Sequence, residues 1–187
     1  MSTAELQYRL LYSMVVAGKS AKFADAVLRR LFKYEPPFEA IRRWKQVGII
    51  EAELRKARSG NYAKLARGFA ELAESKINLR KCTPADLEEI HGVGPKTSRF
   101  FILWTRPGAE HAALDTHVLK WLRYIGHDAP KSTPSGDKYA ALEKVFISAA
   151  RARGMTPREL DSAIWDWCSS GNYFDGVWPE KLRRHVA

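Results

Sequence analysis

The sequence predicts an all-α protein, and three observations carry that reading. Apolar residues recur at three- and four-residue steps along most of the 187 residues. Ser2-x-x-Glu5, Thr83-Pro84-x-Asp86 and Thr156-Pro157-x-Glu159 each set a hydroxyl before an acid at the spacing of a reciprocally capped helix start. No segment keeps a period-two alternation for long, as a half-buried strand would.

The elements follow in order. Leu6, Leu10, Tyr12 and Met14 to Val16 form an apolar segment behind the Ser2 cap, and Ala24, Val27, Leu28, Leu31 and Phe32 form a second. Pro36 and Pro37 break that helix; Phe38, Ile41 and Trp44 begin another, which Gly48 ends. Tyr62, Leu65, Ala66, Phe69, Leu72, Ala73 and Ile77 make the cleanest stripe. Thr83, with Pro84 in the first helical position, opens a short helix to Ile90. Pro95 opens the next, and Phe100–Trp104 reads as its continuation because no partner strand is available. Asp115-Thr-His117 starts a further helix. Tyr139, Leu142, Val145, Phe146 and Ala149 form a second stripe, and Thr156-Pro157 caps the last helix. Turn residues cluster between these segments, and no cluster is long enough to be a free linker.

Composition excludes several classes. Apolar residues make up 45% of the chain, enough for a packed core and too many for a disordered tail. The longest apolar run, Phe100 to Trp104, is far short of the ~20 residues of a membrane span. Met1-Ser-Thr-Ala-Glu runs straight into an amphipathic pattern, unlike a signal peptide. Cys82 and Cys168 are the only cysteines, too few for a disulfide framework or a four-cysteine metal or iron–sulfur site. The expected home is therefore a reducing cytoplasm, in association with the nucleoid, and no cofactor or metal is expected. Lys plus Arg number 31 against 21 Asp plus Glu, a net charge of +10. A folded chain this basic points to a polyanionic partner, nucleic acid first, with plain solubilising charge as the alternative.

Leu87-Glu-Glu-Ile-His-Gly-Val-Gly-Pro-Lys-Thr97 is the most informative stretch. A capped helix runs into Gly92-Val93-Gly94, and a new helix opens at Pro95. Two glycines around an apolar anchor let the backbone turn tightly with its N–H groups outward. With the positive end of the next helix they suit a DNA phosphate, which gives a helix-hairpin-helix reading spanning 83–105; an inert turn is the alternative. Lys96 lies in the first turn of the second helix, where a cation is disfavoured and a neutral, nucleophilic amine is favoured. Asp115 reads as an N-cap whose backbone bonds keep it a carboxylate, able to stabilise an oxocarbenium-like sugar. From residue types alone, Lys96 as a mere phosphate ligand and Asp115 as a mere cap stay open.

Ile90-His-Gly-Val-Gly-Pro-Lys-Thr-Ser98, followed by Leu114-Asp-Thr-His117, resembles the signature of the helix-hairpin-helix DNA glycosylases related to endonuclease III. Weaker similarity extends from about Leu10 to Gly171. The resemblance implies that a damaged nucleotide is flipped from duplex DNA. It makes Lys96 the nucleophile that displaces the base at C1′ and forms a Schiff base, after which β-elimination nicks the strand. Asp115 would support charge at the sugar. Gly92, Val93, Gly94 and Thr97 would hold the DNA backbone. His117 would be a phosphate or cap contact, or structural. One cysteine near the C-terminus, Cys168, departs from the family's clustered four and points to the cluster-free branches. Ala17-Gly-Lys-Ser-Ala21 and Leu160–Trp165 are similar to segments of the archaeal-type 8-oxoguanine glycosylases among them. Gly18 replaces the amide residue that fills the gap left by the flipped base, so Lys19 or another loop would take that task.

For the flipped base, flat stacking partners and edge-reading groups are needed. Tyr173, Phe174 and Trp178, in a Gly/Asn/Asp-rich tail, are candidates for a mobile wall, whereas Trp44, Trp104 and Trp121 read as packing. Trp165 and Trp167 cannot share a helix face, so one of them is expected in the core, and Trp165 is a further candidate for the base pocket. Asp161 would read the base edge or act as a cap. Among basic residues, Lys19, Lys22, Arg99, Lys120 and Arg123 gather around the proposed site, and Arg55, Lys56, Arg58 and Lys64 form a separate run.

The expected architecture is two helical lobes with a DNA-binding cleft between them. One covers 18–115 and ends in the hairpin; the other combines 1–17 with 116–187. The expected function is that of a monomeric bifunctional glycosylase/AP lyase of base excision repair, acting on double-stranded DNA with a damaged base, 8-oxoguanine first. The alternatives are an oxidised pyrimidine or other modified base as target, and a non-catalytic DNA-binding module.

Overall fold

A computed structural model describes residues 1–170 and 177–183. Every regular element among them is helical: α1 (Thr3–Val15), α2 (Ala21–Leu31), α3 (Pro37–Gln46), α4 (Ile50–Lys56), α5 (Tyr62–Glu74), α6 (Pro84–Glu88), α7 (Pro95–Thr105), α8 (Thr116–Tyr124), α9 (Gly136–Arg151), α10 (Pro157–Ser169) and a 3₁₀ turn at Glu180–Leu182. Among the described residues no helix is long and apolar enough to cross a membrane.

The local signals act as written. At Ser2, Thr83 and Thr156 the hydroxyl accepts from the backbone N–H three residues on, and the acid there accepts from the cap's own N–H. Each of these helices thus begins with two otherwise unsatisfied donors paired. Proline follows the cap in α6 and α10, where its missing N–H costs nothing. Phe100–Trp104 is helical, inside α7.

The chain divides into two compact units, Met1–Phe101 and Ile102–Ala187. In the first, α3 and α4 pack on α5, and α1 packs on α2, α3 and α5. Leu10, Leu11, Leu28, Ile41, Leu54, Phe69 and Leu72 are wholly buried, and Phe32 stacks on Trp44 with ring centroids 5.6 Å apart. In the second, α10 packs on α8 and α9. Its core joins Leu119, Trp121, Leu122, Phe146, Leu160 and Ile164 to Trp178 and Leu182 from the C-terminal segment. The Trp121 indole donates to the Leu182 carbonyl at 2.8 Å, which fastens that segment to α8.

The division differs from the sequence expectation of 18–115 against 1–17 plus 116–187. Leu6, Leu10, Leu11 and Met14 of α1 are buried on a helix whose packing partners are α2, α3 and α5, so residues 1–17 belong with the first unit. The segment from Ile102 to Asp115 falls in the second.

Candidate functional site

The turn between α6 and α7 is built by local bonds. The Val93 N–H donates to the Ile90 carbonyl at 3.0 Å, and Gly92 takes φ +85°, a left-handed conformation that costs glycine little. Val93 is buried and anchors the turn. Beyond it, the Ser98 hydroxyl lies 2.7 Å and the Arg99 guanidinium 2.7 Å from Glu88 Oε1, so one carboxylate at the end of α6 ties down the start of α7. Arg99, grouped by sequence with the basic residues of the site, therefore ties α7 to α6.

The turn rests on α5. The His91 N–H donates to Glu71 Oε2 at 2.6 Å, and Arg67 pairs with the same carboxylate at 2.8 Å. The Arg67 hydrogen bond and then the His91 amide hold the Glu71 carboxyl below the usual carboxylate range. Gly68 makes the approach feasible: a Cβ there would lie 2.3 Å from the His91 carbonyl oxygen. One helical turn earlier, the aliphatic stem of Lys64 lies along Gly92, with Cε 3.1 Å from where a Cβ would stand. Neither Gly68 nor Lys64 is signalled as a neighbour of the turn by local sequence, which places Lys64 in a distant basic run. Their spacing of four on one helix face is the signal that could have joined them.

Lys96 occupies the first turn of α7, half-buried, with its Nζ 4.4 Å from the centroid of the Phe100 ring. Thr97 is buried. With its side chain buried, its expected contact with the DNA backbone would fall to its main chain. Gly94 has open space around its Cβ position. Lys19 is exposed, with its ammonium 5.5 Å from the Phe23 ring and 3.8 Å from the Cβ position of Gly60, just before α5.

In the second unit Asp115 is the N-cap of α8. Its Oδ1 accepts from the His117 and Val118 N–H groups, both at 2.9 Å. The preceding extended segment is pinned from α9 and its approach loop. Tyr139 Oη donates to the Ala112 carbonyl at 2.6 Å and accepts from the Leu114 N–H at 3.3 Å, while Thr133 Oγ1 donates to the Leu114 carbonyl at 2.9 Å. Tyr139, read from sequence as one apolar position in a stripe, is thus a positioning residue for Asp115. Burial pushes the Cys168 thiol up, the Lys120 ammonium opposes that and Asp115 adds to it, so both charges act on this one thiol. The backbone N–H of His117 is consumed by the cap, and its Nδ1 is buried without a hydrogen-bond partner among the described residues.

The expected base-recognition residues separate. Asp161 is buried on α10 and accepts from the Trp104 indole at 3.3 Å; the Arg158 guanidinium lies 4.9 Å from the Trp104 ring. Trp165 is 42% exposed and available for contact. Trp167 donates to the Val177 carbonyl at 3.0 Å. Trp178 is corrected: it is 1% exposed, packed against Tyr124 with centroids 5.7 Å apart, and is a core residue rather than a mobile wall. Tyr173 and Phe174 lie outside the described residues.

No protein-family model matches this chain, and no solved structure matches it at a significant level.

Proposed function

We propose that the protein is a bifunctional DNA glycosylase/AP lyase that excises an oxidised base, 8-oxoguanine first, from duplex DNA. One observation carries the reading: a lysine, Lys96, stands in the first turn of a helix that directly follows a tight, left-handed glycine turn anchored by buried Val93. Read as a helix-hairpin-helix, such a turn grips a phosphate without reading sequence. It brings the neighbouring sugar to the lysine. Asp115, held by two backbone N–H bonds, supplies a fixed carboxylate for charge that develops at C1′.

In this mechanism the target nucleotide leaves the stack. The Lys96 amine forms a bond to C1′ as the glycosidic bond breaks, and the base departs with the electron pair and is protonated. Opening of the C1′–O4′ bond gives the imine. Loss of a C2′ proton then expels the 3′ phosphate, and water hydrolyses the imine to free the lysine. Lys96 and Asp115 must act on the same nucleotide for this to proceed.

A second reading, a module that grips DNA without turnover, draws on the place of Lys96 over Phe100. An aromatic face favours an ammonium and offers a neutral amine little. Incubation with duplexes that each carry one modified base, in the presence of borohydride, separates the two. The glycosylase reading predicts a covalent protein–DNA adduct on an oxidised purine duplex. Trapping on an oxidised pyrimidine instead would change the substrate, and no trapping on any duplex would leave only the binding module.

A further inference from the structure

We propose that Lys64 and Lys19 extend the phosphate grip of the glycine turn along the start of α5, so that the first unit holds successive phosphates of one DNA strand whether or not the DNA is damaged. The inference rests on the DNA-binding part of the reading above and goes beyond it by adding residues outside the turn. Its first support is contact. The stem of Lys64 is laid on Gly92, so its ammonium is carried at the edge of the turn and not free over the whole surface of α5. The Lys19 ammonium lies 3.8 Å from the Cβ position of Gly60, which stands four residues before Lys64 in the chain. Gly92 thus serves twice, by its positive φ and by leaving room for a lysine stem that a Cβ at 3.1 Å would crowd.

The second support is the distribution of counter-charges. Several basic residues of the same unit are matched: Arg29 with Asp25, Arg43 with Glu35, Lys45 with Glu74, Arg55 with Glu51, Lys56 with Glu53 and Arg67 with Glu71. Lys19 and Lys64 form no ion pair among the described residues. Lys22, Lys33, Lys76 and Lys81 form none either; what sets Lys64 apart from them is its place against Gly92, where an anion held by the turn would meet it. A phosphodiester backbone supplies such anions at a regular spacing, and each lysine that neutralises one releases a condensed counterion.

The test is the salt dependence of binding of the full chain to a labelled, undamaged duplex, followed by fluorescence anisotropy. Lys64→Met keeps the stem and removes the charge; Lys64→Arg restores the charge. For the wild type, log Kobs falls linearly with log salt. Lys64→Met and Lys19→Met are each expected to reduce that slope by about 0.9, and together by roughly twice as much. Lys64→Arg is expected to keep the wild-type slope, as are Lys45→Met and Lys56→Met, which remove cations already matched to carboxylates. An unchanged slope in Lys64→Met, or an equal reduction in the Lys45 and Lys56 variants, would overturn the inference while leaving the reading of the turn intact. Failure of the wild type to bind duplex DNA would overturn both. Unchanged far-ultraviolet circular dichroism of Lys64→Met establishes that a lost slope is not lost folding.

Discussion

At the scale of single residues, Gly68 and Asp115 make the sharpest demands. A side chain at Gly68 must displace either α5 or the turn, because the atom it meets at 2.3 Å is backbone oxygen and cannot swing aside. Overfilling of this kind costs about 1–3 kcal/mol. Gly68→Ala is therefore expected to lower the thermal midpoint by roughly 4–8 °C for a loss near 2 kcal/mol, and to weaken duplex binding as the turn shifts. Wild-type stability and binding in that variant would show that the turn does not depend on this approach. Asp115 poses the opposite question, because its cap role and its chemical role are separable. Asn caps a helix about as well as Asp, whereas Ala loses about 1 kcal/mol. Asp115→Asn should thus retain the stability of the wild type in a denaturant titration while base release falls steeply. Equal loss of folding and activity in Asn and Ala variants would reduce Asp115 to a cap.

At the scale of elements, the helix starts and the turn share an acid-sensitive design. Hydrogen bonds from the backbone and side chain of Ser2, Thr83 and Thr156 lower the carboxyls of Glu5, Asp86 and Glu159. Those from Arg67 and His91 lower Glu71. A carboxyl whose folded value is depressed stabilises the fold above its unfolded value, near ~4.3, and that contribution is lost as pH falls through the folded value. Between neutral pH and about 5 these four groups give no change; below that the caps and the seat of the turn weaken together. Hydrogen-exchange protection of the His91 amide is expected to stay constant in the upper range, to fall in the lower, and to be low at every pH in Glu71→Met. Protection independent of both pH and Glu71 would contradict this.

The same elements explain what could be read in advance. Caps, proline positions and the glycine turn are contiguous in sequence, so Ser2, Thr83, Thr156, Asp115 and Gly92 declare themselves. α4 does not, because seven residues are too few to display a helical period. Gly68, Lys64 and Tyr139 act on residues far along the chain, and their roles depend on packing that local periodicity does not encode. Trp178 misled for a related reason: its Gly-, Asn- and Asp-rich surroundings indicate a loop, but a loop can still return a large aromatic ring to a core. The all-helical fold was legible throughout. The placement of residues 1–17 was not, because the buried face of α1 fits any apolar partner and only its contacts with α2, α3 and α5 decide.

At the scale of the whole molecule, the chain has two units with separate cores, and of the two proposed reacting groups Lys96 belongs to the first and Asp115 to the second. In the proposed reading, the net charge of +10 would supply long-range attraction to DNA. The lysines beside the turn would convert part of it into phosphate contacts, and catalysis would depend on the identity of one amine. The decisive measurement is peptide mapping by mass spectrometry of the adduct trapped with borohydride on an oxidised-base duplex. The account predicts a reduced deoxyribose remnant on Lys96, and no adduct in Lys96→Gln. A remnant on another lysine, or undiminished trapping by Lys96→Gln, would contradict it.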